Sequence, residues 1–379
     1  MIKFINQLRK FDDKRVLIRV DFDVPVLNSK ILEDFRIKSH QETIDYLLKN
    51  GAKVALLSHI KALASFKPIA WQIKKILNKD FIFVDDVIGP KIQKALDDSE
   101  LVVLDNVRKY KEEFDNDSEF ALSLSKGFDF FVNDAFAAIH RDNASNSAIT
   151  KFLPSYGGFL LKTELENLSK VINLPKKGKT IVLGGAKIST KLPVIKNFLD
   201  RAESILIGGA LCNNFFKFKG IDVGDSLIDD EALDLLKDLD INNPVIKLPE
   251  DLIISQDKSG KSEINVWPPK DLGKGHYILD IGPETVKHWS EILSRAETII
   301  WNGPVGLFEV DAFAEGTRRI AQSIADSGAF SVVGGGDTIF AINKFNLFNK
   351  YDFVSTGGGA MLEFLAGNKL PGLKVLDYY

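Results

Sequence analysis

The sequence predicts an α/β protein of two domains, each built on a parallel sheet, joined by an interdomain helix and a hinge. A chain of 379 residues is longer than one typical hydrophobic core requires. Short apolar runs alternate with amphipathic segments of helical period, which is the pattern of βα units. The alternation stops near residue 150, where Pro154, Gly157 and Gly158 precede a long predicted helix.

The first series of elements defines an N-terminal domain at 1–155. Its first strand is rich in β-branched residues and ends before Pro25, and Asp34 is a candidate cap for the helix that follows. The predicted strands are 15–20, 53–58, 81–84, 101–104 and 129–132, and the predicted helices are 35–49, 68–77, 89–96 and 117–126.

The second series defines a C-terminal domain at 173–365, after an interdomain helix within 156–172. The predicted strands are 180–183, 204–207, 245–248, 277–280, 298–301, 331–333 and 353–355. The predicted helices are 190–201, 210–218, 230–238, 283–296, 311–326, 338–344 and 360–365. The same βα rhythm predicts a second parallel sheet.

Composition argues against several classes of partner. A formal net charge of −3 gives no reason to expect nucleic acid or an anionic membrane surface. No segment approaches about 18 consecutive apolar residues. The single cysteine, Cys212, leaves no internal disulfide and suits a reducing compartment. We therefore expect a cytoplasmic protein with neither a membrane nor a nucleic-acid partner.

A glycine-rich turn within 331–338 is the first candidate site. An apolar strand leads into Gly334, Gly335 and Gly336, and Asp337 and Thr338 then open a predicted helix. A helix N-terminus offers free N–H groups and a positive dipole end to a phosphate, and Asp337 could hold Mg²⁺. An ordinary βα turn with Asp337 as the helix cap explains the same residues.

Three further predicted strands end in the same way. Gly184 and Gly185 follow one strand, Gly208 and Gly209 follow the next, and 357–359 follow the last. The carboxyl ends of parallel strands share one edge of a sheet, where open sheets bind ligands. The repetition favours a phosphate-binding edge over four unrelated turns.

Two lysines and a glutamate belong to the same edge. Lys187 and Lys191 are spaced i, i+4, so both point to one face of a helix, although two exposed lysines are the simpler alternative. Glu309 follows the predicted strand 298–301 and could accept hydrogen bonds from ribose hydroxyls. An ordinary exposed carboxylate is its simpler alternative.

The first domain places charged groups after its strands. Each arginine alone is more often a solvated surface charge. Together they predict an anion pocket, because guanidinium groups match carboxylate and phosphate oxygens. One anion-binding and one nucleotide-binding domain predict phosphoryl transfer, with a hinge that closes to exclude water. The residues are Asp21, Asp23, Arg36, His59, Arg108 and Arg141.

Ten short blocks carry a family resemblance. They are RVDFDVP (19–25), DDSELVVLDNVR (97–108), FVNDAFAAIHR (131–141), GGAKISTK (184–191), LIGGAL (206–211), LDIGPETV (279–286), WNGPVGLFE (301–309), GGGDT (334–338), STGGGA (355–360) and LPG (370–372). With these blocks the chain closely resembles phosphoglycerate kinases over nearly its whole length. The resemblance implies two Rossmann-like domains, a monomer, and a tail at about 366–379 that packs back on the N-terminal domain.

The resemblance also implies which reaction is catalysed and which residues bind the substrates and take part in catalysis. A phosphoryl group passes reversibly between 1,3-bisphosphoglycerate with MgADP and 3-phosphoglycerate with MgATP, in glycolysis and gluconeogenesis. The implied catalytic residues are Arg36, Lys187, Gly336 and Gly359. The implied phosphoglycerate site is Asp21, Phe22, Asp23, Arg36, His59, Lys61, Arg108 and Arg141. The implied nucleotide site is Lys191, Gly208, Gly209, Ile278, Asn302, Glu309, Gly334, Gly335, Gly336, Asp337 and Thr338, with Asp337 holding Mg²⁺.

Several ligand positions depart from the family pattern. Asp23 stands where the family usually has Asn, and 142–143 replace its Ala-His. The loop from His59 to Pro68 is several residues shorter than the corresponding loop of the family. Ala62 replaces its phosphate-binding Arg, and Lys61 could restore the charge without the fork. In the nucleotide site, Ile278 and Ala210 replace glycines. We therefore expect an active enzyme with a raised KM for the phosphoglycerate.

Two other functions stay open. A non-catalytic or substrate-altered relative would bind MgATP without turning over phosphoglycerate. An NAD-dependent dehydrogenase is disfavoured because no GxGxxG follows a strand, and a Walker A kinase because GxxxxGK[ST] is absent. The five histidines have no metal-ligand spacing, which disfavours a structural metal site.

Overall fold

The computed structural model describes residues 2–8 and 10–379, which divide into two compact units. Unit 1 comprises the chain up to Glu166 together with Lys369–Tyr379, and unit 2 comprises Asn167–Asn368. The predicted fold class is confirmed, since each unit contains a six-stranded parallel sheet. In the part of the chain that is described, no helix is both long and apolar enough to cross a membrane.

Unit 1 is built on the sheet order β5-β6-β4-β1-β7-β8, and β2 and β3 form a separate antiparallel pair. The strands are β1 (Arg15–Arg19), β2 (Val26–Leu27), β3 (Lys30–Ile31), β4 (Lys53–Ser58), β5 (Ile82–Val84), β6 (Leu101–Asn106), β7 (Phe130–Asn133) and β8 (Ser155–Gly157). The helices are α1 (Phe35–Ser39), α2 (Gln41–Lys49), α3 (Ala70–Leu77), α4 (Pro90–Asp98), α5 (Lys111–Phe114) and α6 (Ser118–Ser125). Helix α7 (Phe159–Asn173) begins in unit 1 and ends in unit 2.

Both faces of this sheet are covered, which explains its continuous apolar strands. Side chains alternate along a strand, so Val16 and Ile18 pack into one apolar cluster and Leu17 into the other. In β4, Val54 and Leu56 alternate with buried neighbours in the same way. The two apolar clusters therefore fix the position of the sheet edge at which the parallel strands end.

Two differences from the sequence-based prediction concern how the sheet of unit 1 is connected. The predicted helix 35–49 is two helices, separated at His40, whose fully buried imidazole bonds to Asp134 and to the Asp21 backbone. The segment after Pro154, which we predicted as a break between domains, supplies strand β8 at the edge of the sheet.

Unit 2 is built on the sheet order β11-β10-β9-β15-β16-β17. Its strands are β9 (Lys179–Leu183), β10 (Ser204–Ile207), β11 (Ile246–Lys247), β12 (Leu252–Ser255), β13 (Ile264–Trp267), β14 (Tyr277–Ile281), β15 (Thr298–Asn302), β16 (Phe330–Gly334) and β17 (Phe353–Ser355). Its helices are α8 (Ile188–Phe198), α9 (Gly209–Phe218), α10 (Asp230–Leu233), α11 (Pro283–Ser294), α12 (Glu315–Asp326), α13 (Gly336–Lys344) and α14 (Gly358–Leu365).

A small antiparallel sheet was not predicted. Strands β13, β12 and β14 pair in that order, so the predicted strand 277–280 belongs to this sheet and not to the parallel one. Strand β13 has only four residues, Ile264–Trp267, which is too short for its apolar pattern to indicate a strand, and its side chains are mostly exposed.

The C-terminal residues form part of unit 1. Helix α15 (Pro371–Lys374) follows the buried Leu370, and Leu373 is also fully buried. The Gly372 N–H donates to the carbonyl of Ile139 at 3.0 Å. A Cβ on Gly372 would lie 2.7 Å from the Ile139 side chain, so glycine permits this close contact.

Candidate functional site

An ionic cluster occupies the edge of the unit 1 sheet where its parallel strands end. Asp21 lies just after β1 and is buried, and its Oδ2 lies 3.3 Å from Arg36 Nη1 at the start of the α1–α2 region. The same Nη1 donates to the carbonyl of Asp23 at 2.7 Å. Arg36 therefore holds the turn after β1 through both a carboxylate and the backbone.

The turn after β4 packs against the same segment. The Lys61 N–H donates to Asp23 Oδ1 at 2.8 Å, and Lys61 Nζ lies 3.1 Å from Asp23 Oδ2. His59 Nε2 lies 3.6 Å from that Oδ2, and His59 Nδ1 lies 3.9 Å from Asp21 Oδ1. Two carboxylates thus face a lysine, a histidine and an arginine.

The imidazole of His59 is orientated by a hydrogen bond from the buried Arg19. Arg19 Nη2 lies 3.0 Å from His59 Nδ1, and Arg19 Nε donates to Ser145 Oγ at 2.9 Å. Ser145 donates in turn to the buried carboxylate of Glu113 at 2.7 Å. An arginine can only donate, so Nδ1 accepts and the ring proton resides on Nε2, which faces Asp23. The neutral Nε2–H form of His59 is therefore the one that this network selects.

Positive charge is in excess in this cluster. Burial, together with the positive charges of Arg19 and Arg108, holds the pKa of His59 well below its usual 6.5. Burial and the neighbouring Arg141 and Arg19 lower the pKa of Arg108 to about 10. Burial and Arg141 lower the pKa of His140 to about 4. Cations that destabilise one another in this way form a site that an anion would stabilise.

The end of β6 holds the turn after β4. Asn106 Nδ2 donates to the carbonyls of Ile60 and Leu63 at 2.8 and 3.0 Å. Asp105 Oδ1 accepts from the Phe66 N–H at 2.8 Å. The predicted strand 101–104 stops before both polar residues, and sequence analysis gives them no role. Their position directly after the apolar run 101–104 is the one feature of the sequence that could have indicated a role for them.

In unit 2, the four glycine turns lie at the carboxyl ends of β9, β10, β16 and β17, all parallel in one sheet. Beside them is a cavity of about 230 Å³. Its lining includes Gly209, Ile278, Glu309 and Asp337. The antiparallel sheet contributes Ile278 from β14, so this wall could not be inferred from the parallel-sheet pattern alone.

The two lysines of unit 2 differ in environment. Lys187 is exposed at the N-cap position of α8, whereas Lys191 is buried in its first turn. Burial and the charge of Lys187 lower the pKa of Lys191, and the carboxylate of Asp337 opposes this effect. A Cβ on Gly185 would lie 3.6 Å from Lys191 Nζ, so this ammonium lies beside the glycine turn.

Hydrogen bonds join the turns after β15 and β16. Asn302 Nδ2 donates to the Gly334 carbonyl at 2.9 Å, and the Gly303 N–H donates to Thr338 Oγ1 at 2.7 Å. Thr338 is fully buried, so its hydroxyl holds the turn in place. Its contribution to a phosphate would come from the backbone at the start of α13.

Comparison with known proteins shows which family the chain belongs to. A family model described as phosphoglycerate kinase matches residues 5–368. The phosphoglycerate kinase of Borrelia garinii subsp. bavariensis is 39% identical over 99% of this chain and 99% of its own length, and that of Finegoldia magna is 41% identical over 97% of each. The chain belongs to the phosphoglycerate kinase family.

Solved structures of the family have the same fold. Phosphoglycerate kinase from Coxiella burnetii matches with a TM-score of 0.83 at 36% identity, covering 100% of this chain and 99% of that one. The enzyme from Pyrococcus horikoshii OT3 matches with a TM-score of 0.87 at 32% identity, covering 99% and 98%. The resemblance seen in the sequence is confirmed, as is the class, a phosphotransferase with a carboxyl group as acceptor.

Within each unit, the structure places most of the predicted residues at the carboxyl ends of the parallel strands, and their individual roles stay predictions. In unit 1, Phe22 differs from the others because its ring is buried in the core, 6.2 Å from the ring of Phe66. Only its backbone reaches the sheet edge. In unit 2, Gly336 and Gly359 lie exposed in the first turns of α13 and α14, and Gly208 lies against Val305.

A pH dependence follows from the low pKa of His59. Below pH 6.5 the unfolded chain takes up a proton on this residue and the folded one does not, so stability is full at neutral pH and decreases as the pH falls. We expect His59→Gln to reduce the loss of unfolding free energy between pH 7 and pH 5, with proton uptake by the unfolded imidazole setting an upper limit of about 2 kcal/mol. Urea unfolding at both pH values measures this difference. An equal loss in both proteins would contradict the prediction.

Two glycine substitutions in unit 2 distinguish a glycine that is required for close packing from one that is required for access of the ligand. A Cβ on Gly184 would lie 2.1 Å from the Pro304 carbonyl oxygen, whereas a Cβ on Gly336 would meet nothing within 4 Å. We expect Gly184→Ala to destabilise unit 2 by about 1–3 kcal/mol. We expect Gly336→Ala to leave stability unchanged or slightly raised, and to weaken nucleotide binding.

Urea unfolding followed by the fluorescence of Trp289 and Trp301, both buried in unit 2, measures the stability of each variant. Calorimetric titration with MgATP measures binding. A destabilised Gly336→Ala protein would contradict the open space around this residue. Unchanged nucleotide affinity would show that Gly336 does not lie at the ligand.

Proposed function

We propose that this chain catalyses reversible phosphoryl transfer between 1,3-bisphosphoglycerate with MgADP and 3-phosphoglycerate with MgATP, as a cytoplasmic, monomeric enzyme of glycolysis and gluconeogenesis. The observation that carries the proposal is the excess of buried positive charge around His59 and Arg108 in unit 1, together with the glycine edge of unit 2. A small anionic acid fits the first site and nucleotide phosphates fit the second.

In unit 1, the acid is held by charge and by hydrogen bonds. His59, Arg108 and Arg141 bind its distal phosphate, and Asp21 accepts from its hydroxyl. Arg36 binds the carboxyl end and follows the phosphoryl group as it moves. The contact between Arg36 and the buried Asp21 supports this role, because it keeps the guanidinium in place before the acid arrives.

In unit 2, the nucleotide phosphates lie along the glycine turns. Lys191 binds them, Lys187 follows the moving phosphoryl group, and Glu309 accepts from the ribose. The first turns of α13 and α14, at Gly336 and Gly359, offer N–H groups to the phosphoryl oxygens. Among the described residues, no cluster of three or more His, Cys, Asp or Glu could hold a metal by itself.

Asp337 fits the needs of Mg²⁺ in such a reaction. It is an exposed carboxylate in the first turn of α13, beside Lys191. Mg²⁺ usually takes one or two carboxylates and completes its shell with water and substrate phosphates. When bound, the ion neutralises charge on the phosphates.

Catalysis then rests on alignment and charge stabilisation. The protein forms no covalent bond with the phosphoryl group. Arg36 and Lys187 stabilise charge on its oxygens, and closure about a hinge brings the acid and the nucleotide into line and excludes water.

The test is a coupled assay of 3-phosphoglycerate-dependent ATP consumption with substrate varied into the high millimolar range. We expect saturable turnover that Lys187→Met lowers by about 10²–10³ in kcat, the usual effect of removing one charge-stabilising group. Lys196→Met is the matched control, because this lysine is exposed on the same helix. Absence of turnover with MgATP still bound would instead support a non-catalytic or substrate-altered relative.

A second prediction concerns the hold on the phosphoglycerate. Ala62 is exposed in the short turn after β4, where no guanidinium can form a forked contact with phosphate. We expect Ala62→Arg to lower the KM for 3-phosphoglycerate by about tenfold to a hundredfold, from about 1.5–3 kcal/mol of charge-assisted bonding. Ala64→Arg adds the same charge two residues further on. Equal KM values for wild type and Ala62→Arg would contradict a weakened hold.

A further inference from the structure

The carboxylate of Asp23 occupies the position of an anion within a cationic cluster. Its Oδ2 lies 3.1 Å from Lys61 Nζ and 3.6 Å from His59 Nε2, and its Oδ1 accepts from the Lys61 N–H at 2.8 Å. These are an ammonium, an imidazole N–H and a backbone N–H, which together are the usual partners of a phosphate.

The backbone of Asp23 is fixed on both sides. Its N–H donates to Asp21 Oδ1 at 3.2 Å, and its carbonyl accepts from Arg36 Nη1 at 2.7 Å. The Asp23 side chain is 14% exposed, whereas that of Lys61 is 58% exposed. The lysine is therefore the partner that can move. Its long side chain can leave Asp23 and turn toward a second anion without disturbing the segment that holds Asp21 and Arg36.

The geometry points to Asp23 as an internal counter-anion and a specificity-determining residue of the proposed phosphoglycerate site. In the free enzyme Asp23 pairs with Lys61, and binding of the substrate phosphate requires Lys61 to exchange the carboxylate for the phosphate. This inference deepens the proposed function, on which it rests. It explains how Lys61 can contact substrate while adding little affinity.

The exchange has a thermodynamic signature. In the wild type, any gain from a Lys61–phosphate contact is reduced by the loss of the Lys61–Asp23 pair. When the charge of residue 23 is removed, the same contact contributes in full. The affinity due to Lys61 must therefore be smaller in the wild type than in an Asp23→Asn protein, a non-additivity that a double-mutant cycle measures. The asparagine keeps an oxygen that accepts the Lys61 N–H, so the turn after β4 stays attached.

The experiment is calorimetric titration of 3-phosphoglycerate into wild type, Asp23→Asn, Lys61→Gln and the double variant. We expect Asp23→Asn to lower Kd about threefold to tenfold, because it removes a carboxylate that repels the phosphate. We expect Lys61→Gln to raise Kd about threefold in the wild-type background and about tenfold in the Asp23→Asn background. Asp34→Asn is the control for the loss of one negative charge, because Asp34 lies in the same region and, among the described residues, forms its ion pair with the exposed Lys38 alone.

Inorganic phosphate serves as a second probe with the same four proteins. If Lys61→Gln has the same effect in both backgrounds, or a larger one in the wild type, the exchange is wrong. If the wild type does not bind 3-phosphoglycerate, the proposed function fails, and the cycle with inorganic phosphate still decides the exchange. A smaller effect of Lys61→Gln in the wild type with either ligand supports it.

Discussion

The buried carboxylate of Asp134 is the group on which the proposed phosphoglycerate site in unit 1 depends. Its Oδ1 accepts from the N–H groups of Leu160 and Leu161 at the start of α7, and its Oδ2 lies 2.9 Å from His40 Nδ1. His40 Nε2 accepts in turn from the Asp21 N–H at 2.8 Å. One carboxylate at the end of β7 thus joins the first turn of α7, the break between α1 and α2, and the segment that carries the ionic cluster. Removing one partner from such a buried network typically costs about 3–5 kcal/mol, so its geometry is strongly maintained.

The two units prepare their sites by different physical means. Unit 1 uses buried polar side chains, in which Arg19 fixes the tautomer of His59 and Asn106 fixes the turn that follows it. Unit 2 uses close backbone approach, with Gly184 against the Pro304 carbonyl and Thr338 bonded to the Gly303 N–H. A small acid with several polar groups requires orientated side chains, whereas a chain of phosphates is bound by any row of N–H donors.

Much of the parallel-sheet architecture could be predicted because its information is local. The β-branched run in β1 and the glycine turns after β9 and β10 follow from chain geometry and strand burial. The break at His40 could not be predicted, because it depends on Asp134, which lies 94 residues further along the chain. Arg19 was not predicted for the same reason: it lies within an apolar strand, and its partners come from distant turns. The wall containing Ile278 belongs to an antiparallel sheet whose exposed strand β13 has only four residues, too few to be recognised from sequence.

Electrostatics connects the cost of building the phosphoglycerate site to its use. The pKa of Arg19 is lowered mainly by burial, although Glu113 and Asp21 oppose this effect, and the pKa of Glu113 is raised by burial despite Arg19. Each ion is therefore less stable here than in water, and the acidic and basic members only partly compensate one another. Buried ions of this kind commonly make a site less stable than apolar side chains of the same volume would. Under the proposed function, an arriving anion meets cations whose positions are already fixed, so little reorganisation is needed when charge moves onto the phosphoryl oxygens.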